Sequence, residues 1–294
     1  MRPEETIMSA TEAQPASPPA ASDEIDLDRV APRPFWKRPK VIERAMPWMV
    51  ITGFILVWEL ICLIFPIKTF ILPAPHVIVQ SMITWWPQIL ENSGQTLFTT
   101  VVGFLIAVAF GLAGGVVIGS STLIYNGFYP LLIGFNAIPK VAIVPILVLW
   151  FGIGTVPAII TAFIISFFPI LVNVATGIAT VEPELKDVLR ALGASNRQII
   201  MKVGLPRSMP YFFASLKVAI TVAFVGSIMS ETVAANVGIG ALMMAAQGRF
   251  EVPLVFAGLI ATAVMGIMLY VIAETIERRV IGWATRGING PGSV

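Results

Sequence analysis

The sequence predicts an all-α membrane protein, a bundle of six transmembrane helices with one long polar loop. Three observations carry that prediction. Of 294 residues 56% are hydrophobic, against roughly 45–50% in an ordinary globular domain. Only 12% are charged, too few to cover a soluble protein of this size. The apolar residues also lie in long runs, and lysine and arginine gather on alternate loops, the asymmetry that orients helices in a bilayer.

Residues 1–45 are expected to form a disordered cytoplasmic tail. The first thirty are rich in Ala, Pro, Ser and acids. A basic run follows, Arg33, Lys37, Arg38, Lys40 and Arg44 around Phe35 and Trp36, as at a cytoplasmic membrane interface; it is not read as a nucleic-acid patch. A membrane domain is assigned to 46–283 and a short basic cytoplasmic tail to 284–294. Spans are expected at about 48–67, 96–120, 128–150, 156–180, 209–232 and 253–276.

Leu72-Pro73-Ala74-Pro75 is extended by its prolines. Val77, Ile78, Met82, Trp85 and Trp86 then suggest a helix lying at the interface, with His76 on its surface. In the second span Ala107, Gly111, Gly115 and Gly119 fall four apart, a smooth face that would let a second helix approach closely. The third span carries Pro139 and Pro145, which predict a kink, and it places Asn136 and Lys140 deep in the helix. Phe151-Gly152-Ile153-Gly154 makes a tight turn into the fourth span. A polar, glycine-bearing stretch after residue 234 separates the last two. Counted by loop, Lys186, Arg190, Arg197, Lys202, Arg207, Arg278 and Arg279 fall on one side with the N-terminal cations, and only Lys68 and Arg249 on the other. Both termini and the loop after the fourth span are therefore assigned to the cytoplasm.

That loop, 182–206, is the most polar run between two spans. Pro183 suits a first helical turn, and Leu185, Val188, Leu189 and Leu192 form an apolar stripe. Gly193 fits a left-handed cap. Ser195 with Gln198 fits a capping box, opening a second helix with Ile199, Ile200 and Val203 on its apolar side, which Pro206 should end. Such a pair is either a loop helix lying against its own bundle or the lipid interface, or a docking surface for a cytoplasmic partner.

No phosphate-binding loop, nucleophile elbow or zinc-protease motif occurs, so no catalytic residue is assigned. One cysteine, Cys62, and one histidine, His76, allow neither a disulfide within the chain nor a thiol-cluster or His-rich metal site. Glu59, Lys140 and Glu231 are ionisable groups inside spans and so functional candidates. Lys140 with Asn136 would either sense an anion in a central pathway or pair with a carboxylate or a helix-end carbonyl to hold the bundle.

An acid at Asp187, a glycine six positions on at Gly193, and Val203-Gly204-Leu205-Pro206 after it resemble the EAA loop of membrane subunits of binding-protein-dependent ABC importers. The family's Glu-Ala-Ala is Asp187-Val188-Leu189 here. The Leu72–Pro75 stretch, the run IPKVAIVPILVLWFGIG and the run FFPILVNVATG are similar to the nitrate/sulfonate/taurine branch, and the resemblance extends over residues 47–283. It implies a permease with the six-helix fold of type I ABC importers and a cytoplasmic coupling-helix loop, in a bacterial inner membrane. Asp187, Leu189, Arg190, Leu192, Gly193, Ser195, Val203, Leu205 and Pro206 would form the ATPase-coupling loop. Asn136, Lys140 and Glu231 are the candidates for the translocation pathway, and Gly111, Gly115 and Gly119 for helix packing. The implied partners are a second permease copy, two ATP-binding ABC subunits, an extracytoplasmic solute-binding protein and membrane lipid, with no cofactor and no nucleic acid. The implied cargo is a small solute, an anion such as nitrate, a sulfonate or taurine. An ion-gradient-driven secondary carrier is the alternative; such carriers show internal repeats, which are not evident here.

Overall fold

The structure, a computed structural model, describes residues 39–65 and 67–280. The tail assignments for 1–38 and 281–294 lie outside the described residues. In order, the chain forms α1 (Pro39–Ile64), α2 (Pro75–Thr84), α3 (Trp86–Gly119), α4 (Thr122–Ala137), a 3₁₀ turn (Lys140–Ile143), α5 (Val144–Phe151) and α6 (Thr155–Ala179). Next come α7 (Pro183–Ala191), α8 (Asn196–Ile199), a π-turn (Ile200–Gly204), α9 (Leu205–Ala234), α10 (Ile239–Gly248) and α11 (Val252–Val280). Contacts divide the chain into two units, Met1–Phe54 and Ile55–Val294, with the boundary inside α1. The first unit's described part is the beginning of α1, and the architecture below belongs to the second.

Five helical stretches are long and apolar enough to cross a membrane, and the bent pair α4/α5 makes a sixth when counted as one broken span. Three expected boundaries move. Helix α1 already runs from Pro39, inside the stretch assigned to the tail. Helix α3 starts at Trp86, so Trp86 and the polar residues after it belong to its first turns, and only α2 remains as the short helix expected at the interface. At 34 residues, α3 is about 51 Å long, well beyond a hydrocarbon core of roughly 30 Å; its polar end can stand clear of the lipid. The third span is not one kinked helix: α4 and α5 meet at 78°.

The core is a three-helix contact among α3, α6 and α9. The small-residue face of α3 lies against α6, and Ala107 is fully buried there. A Cβ at Gly111 would sit 2.9 Å from the Ile170 Cβ, and one at Gly119 would sit 2.7 Å from the Ala175 carbonyl. Gly103 extends the face by one more step of four, 2.7 Å from the Ala162 Cβ. On the other side of α6, Gly177 and Gly226 admit Ser208 and Ala162 in the same way. With Ser215, Ala219, Ala223 and Ser227 buried, α9 presents small side chains along much of this seam, and Phe212 and Phe213 fill the rest. The hydroxyls of Thr161, Ser166 and Ser215 donate back to carbonyls of their own helices, which satisfies them without water. A second cluster, including Ile78, Ile89, Phe224, Ile239, Leu254 and Met265, joins α2, α10 and α11 to the outer ends of α3 and α9.

A side chain at Gly115 would begin 2.6 Å from the Val174 Cβ. Gly115→Leu should therefore cost about 1–3 kcal/mol or more, read as a lower melting temperature and less monodisperse protein in detergent. Gly94, with nothing within 4 Å, is the control: Gly94→Ala should leave the melting temperature unchanged or slightly raised.

Candidate functional site

The 182–206 loop folds as its capping residues dictate. Helix α7 begins at Pro183 and ends in a paired cap: the Gly193 N–H donates to the Arg190 carbonyl and the Ala194 N–H to the Leu189 carbonyl, both at 2.9 Å. Gly193 supplies the required left-handed backbone, with φ of 83°. The capping box opens α8: the Gln198 N–H donates to the Ser195 hydroxyl at 3.3 Å, and the Ser195 N–H donates to Gln198 Oε1 at 2.8 Å. Asp187 is exposed and accepts from Arg190 at 3.0 Å, while Arg207 reaches across the loop to Glu182 at 2.7 Å. Exposed ion pairs of this kind contribute about 0–1 kcal/mol, so the caps set the shape and the charges trim it.

Along the apolar stripe, Leu185 and Leu189 are half-buried, but Val188 is 57% and Leu192 78% exposed. Leu192 stands at the edge of an open groove between α7 and the following turns, floored by Leu189, Ile199 and Val203 and flanked by Lys202. Pro206 does not end the second helix. Residues 200–204 form a π-turn, with the Leu205 N–H bonding to the Ile200 carbonyl, and the chain continues into α9. Proline's missing donor falls where the hydrogen-bond ladder has already shifted by one residue, so the helix passes through it.

At the break in the third span, Ile138 and Pro139 are extended, as the residue before a proline prefers. Pro145 sits in the first turn of α5, where its missing N–H is harmless. Lys140 is half-buried at this break rather than deep in a helix. Its ammonium donates to Asn136 Oδ1 at 2.8 Å and to the Asn136 carbonyl at 3.2 Å, which places a cation on the frayed C-terminus of α4. The Phe168 ring lies 5.9 Å from it and stacks with Phe135. Among the described residues Lys140 has no carboxylate within ion-pair distance; of the two structural partners expected for it, the geometry provides the helix-end carbonyl.

The three ionisable candidates are not brought together. Glu59 pairs with His76, Oε1 to Nδ1, at 2.5 Å and also accepts the His76 N–H at the start of α2. Glu231, expected on the pathway, is 2% exposed. Its Oε2 accepts from the Thr96 hydroxyl at 2.7 Å and the Gly240 N–H at 3.2 Å, and its Oε1 accepts from Thr99 at 3.3 Å. The sequence reading missed Thr96 and Thr99; hydroxyls one turn apart in an apolar span were the available signal. Among the described residues no group of three His, Cys, Asp or Glu is placed to hold a metal.

Residues 100–282 match the family described as binding-protein-dependent transport system inner membrane component. The chain is 30% identical over 221 residues to the riboflavin transport system permease protein RibX of Chloroflexus aurantiacus, covering 73% of this chain and 81% of that protein. It is 23% identical over 255 residues to the taurine transport system permease protein TauC of Escherichia coli, covering 84% and 93%. Its fold is similar to a chain of the MetNI methionine ABC transporter in an inward-facing conformation, with a TM-score of 0.56 and 21% identity over 66% of this chain and 96% of that one. The chain belongs to the family of inner-membrane permeases of ABC importers, multi-pass proteins that leave ATP hydrolysis to separate subunits. The secondary-carrier alternative is thereby set aside.

Gly193→Asn, which tolerates a positive φ, should retain the α7 cap, whereas Gly193→Val should strain it by roughly 1–2 kcal/mol. Amide exchange at residues 189–194 of the purified permease should then quicken about tenfold in Gly193→Val alone.

Proposed function

We propose that two copies of this permease form the translocation pathway for a small anionic or zwitterionic solute, and that the 182–206 loop is the lever by which two ATP-binding subunits drive it. The observation that carries this reading is the loop's combination of rigidity and exposure. The facing ends of α7 and α8 are both capped internally, yet Val188 and Leu192 stay exposed beside an open groove. A rigid element with an unused apolar edge suits docking, and rigidity is what lets ATP binding bias one state of the bundle over another. Asp187, Leu189, Arg190, Leu192, Gly193 and Ser195 would form the docking side, and Val203, Leu205 and Pro206 the shaft that continues into α9. Both termini and the loop would face the cytoplasm, with a solute-binding protein delivering cargo from the opposite side.

For the cargo, Lys140 is the candidate contact. It is a half-buried ammonium with no carboxylate partner among the described residues, beside aromatic rings, on a broken helix whose apolar neighbours Leu149 and Trp150 are largely exposed. That exposed face supports a second copy packing there, with Asn136 and Lys140 near the seam. Relatives are named for riboflavin and for taurine, so the anion reading rests on Lys140 and the resemblance to the nitrate/sulfonate/taurine branch.

Gly193→Val should leave the permease inserted but weaken co-purification of the ATPase and abolish uptake. Full uptake in both Gly193→Val and Asp187→Ala would remove this loop from the coupling role. In a separate test Lys140→Met should cut taurine or sulfonate uptake at least tenfold with protein levels unchanged; undiminished uptake would discard Lys140 as a pathway residue.

A further inference from the structure

The start of α10 has no cap of its own. Its N-cap, Gly238, has no side chain to offer, and its first free N–H groups are satisfied from two other helices. The Gly238 N–H donates to Asn92 Oδ1 at 2.8 Å and the Ile239 N–H to the Thr96 hydroxyl at 2.9 Å, both on α3. The Gly240 N–H donates to Glu231 Oε2 on α9, and Thr96 and Thr99 donate to the same carboxylate. One buried cluster thus joins the outer turn of α9, the polar end of α3 and the N-terminus of α10. Its carboxylate is the only charged side chain among the described residues that is fully buried. The glycines are fitted to it: a side chain at Gly238 would run into the Glu231 carboxyl, and one at Gly240 would lie 2.8 Å from the Glu231 Cβ. A buried carboxylate facing a helix N-terminus is stabilised by the peptide dipoles and by three donors.

The position of this cluster gives it a use. Helix α9 is joined to the 182–206 loop through the π-turn at one end and carries Glu231 in its last turn at the other. We infer that Glu231 is a positioning residue that locks α10 to α9 and α3, so that movement begun at the coupling loop reaches α10 at the far end of the bundle. The inference rests on the lever role proposed above. Glutamine can replace the acid without loss, because its carbonyl can take the place of Oε2 and its amide can donate to Thr99. Alanine cannot, since it strands the Gly240 N–H and leaves both threonine hydroxyls only the carbonyls of their own helix, which unties α3 and α10 from α9.

The test uses the full-length permease with its ATPase in lipid nanodiscs, in a Cys62→Ala background, with spin labels at the exposed positions Arg197 and Gln247. The inter-label distance is measured with and without Mg²⁺, ATP and vanadate. Unsubstituted protein and Glu231→Gln should give one narrow distribution that shifts on trapping. Glu231→Ala should give a distribution broadened at least twofold that does not shift, with uptake lost when the same variant is assayed in sealed proteoliposomes. Thr99→Val, isosteric and milder, should broaden it partially, and it keeps the test decisive if Glu231→Ala fails to assemble. A narrow, shifting distribution in Glu231→Ala or an unaltered one in Thr99→Val would overturn the inference, as would loss of the shift in Glu231→Gln. Absence of any shift in the unsubstituted protein would instead overturn the lever role, leaving the lock to be judged on the widths alone.

Discussion

The bundle depends on how closely helix backbones approach. In lipid the hydrophobic effect draws no helix toward another, so contact comes from packing and hydrogen bonds, and both need short separations. Here the separation is set by the absence of side chains at Gly103, Gly111, Gly115 and Gly119, each filled by a residue of α6. Helix α6 then offers its opposite side to the small residues of α9. Remove that spacing and α9 loses its support, and with it the loop it extends from and the cluster at its far end.

Much of this was legible in the sequence because the signals are local. A glycine after an apolar stripe, a serine three residues before a glutamine, and small residues every fourth position each specify a geometry by short-range sterics or hydrogen bonding. The cap at Gly193, the capping box at Ser195 and the packing face of α3 all stand where those rules put them. What was misread depends on partners distant in the chain or on helix continuity. Pro206 looked like a stop, since the shifted ladder that accommodates it has no compositional mark. The polar turns after Trp86 looked unfit for a spanning helix, but a helix can outrun the membrane.

Lys140 and Glu231 show why an ionisable residue in an apolar run cannot be assigned from the run alone. Both were candidates for the same pathway. One sits at a break, with its charge satisfied by neighbours in its own chain segment and a side left open. The other is enclosed by donors up to 135 residues away in sequence. Burying a charge is costly unless it is hydrogen-bonded, and the donors that meet this need for Glu231 come from two other helices, α3 and α10.

The π-turn at Ile200–Gly204 has a further consequence. It is the geometric trace of one extra residue in an otherwise α-helical path. Each residue turns an α-helix by about 100°, so the angle at which the 182–206 loop faces away from the bundle is fixed by a single residue's worth of length just below α9. Adding or removing one residue there would swing the loop around the bundle's rim while every contact inside the membrane stayed in register. The direction of the loop is thus an adjustable property, separable from the fold that carries it.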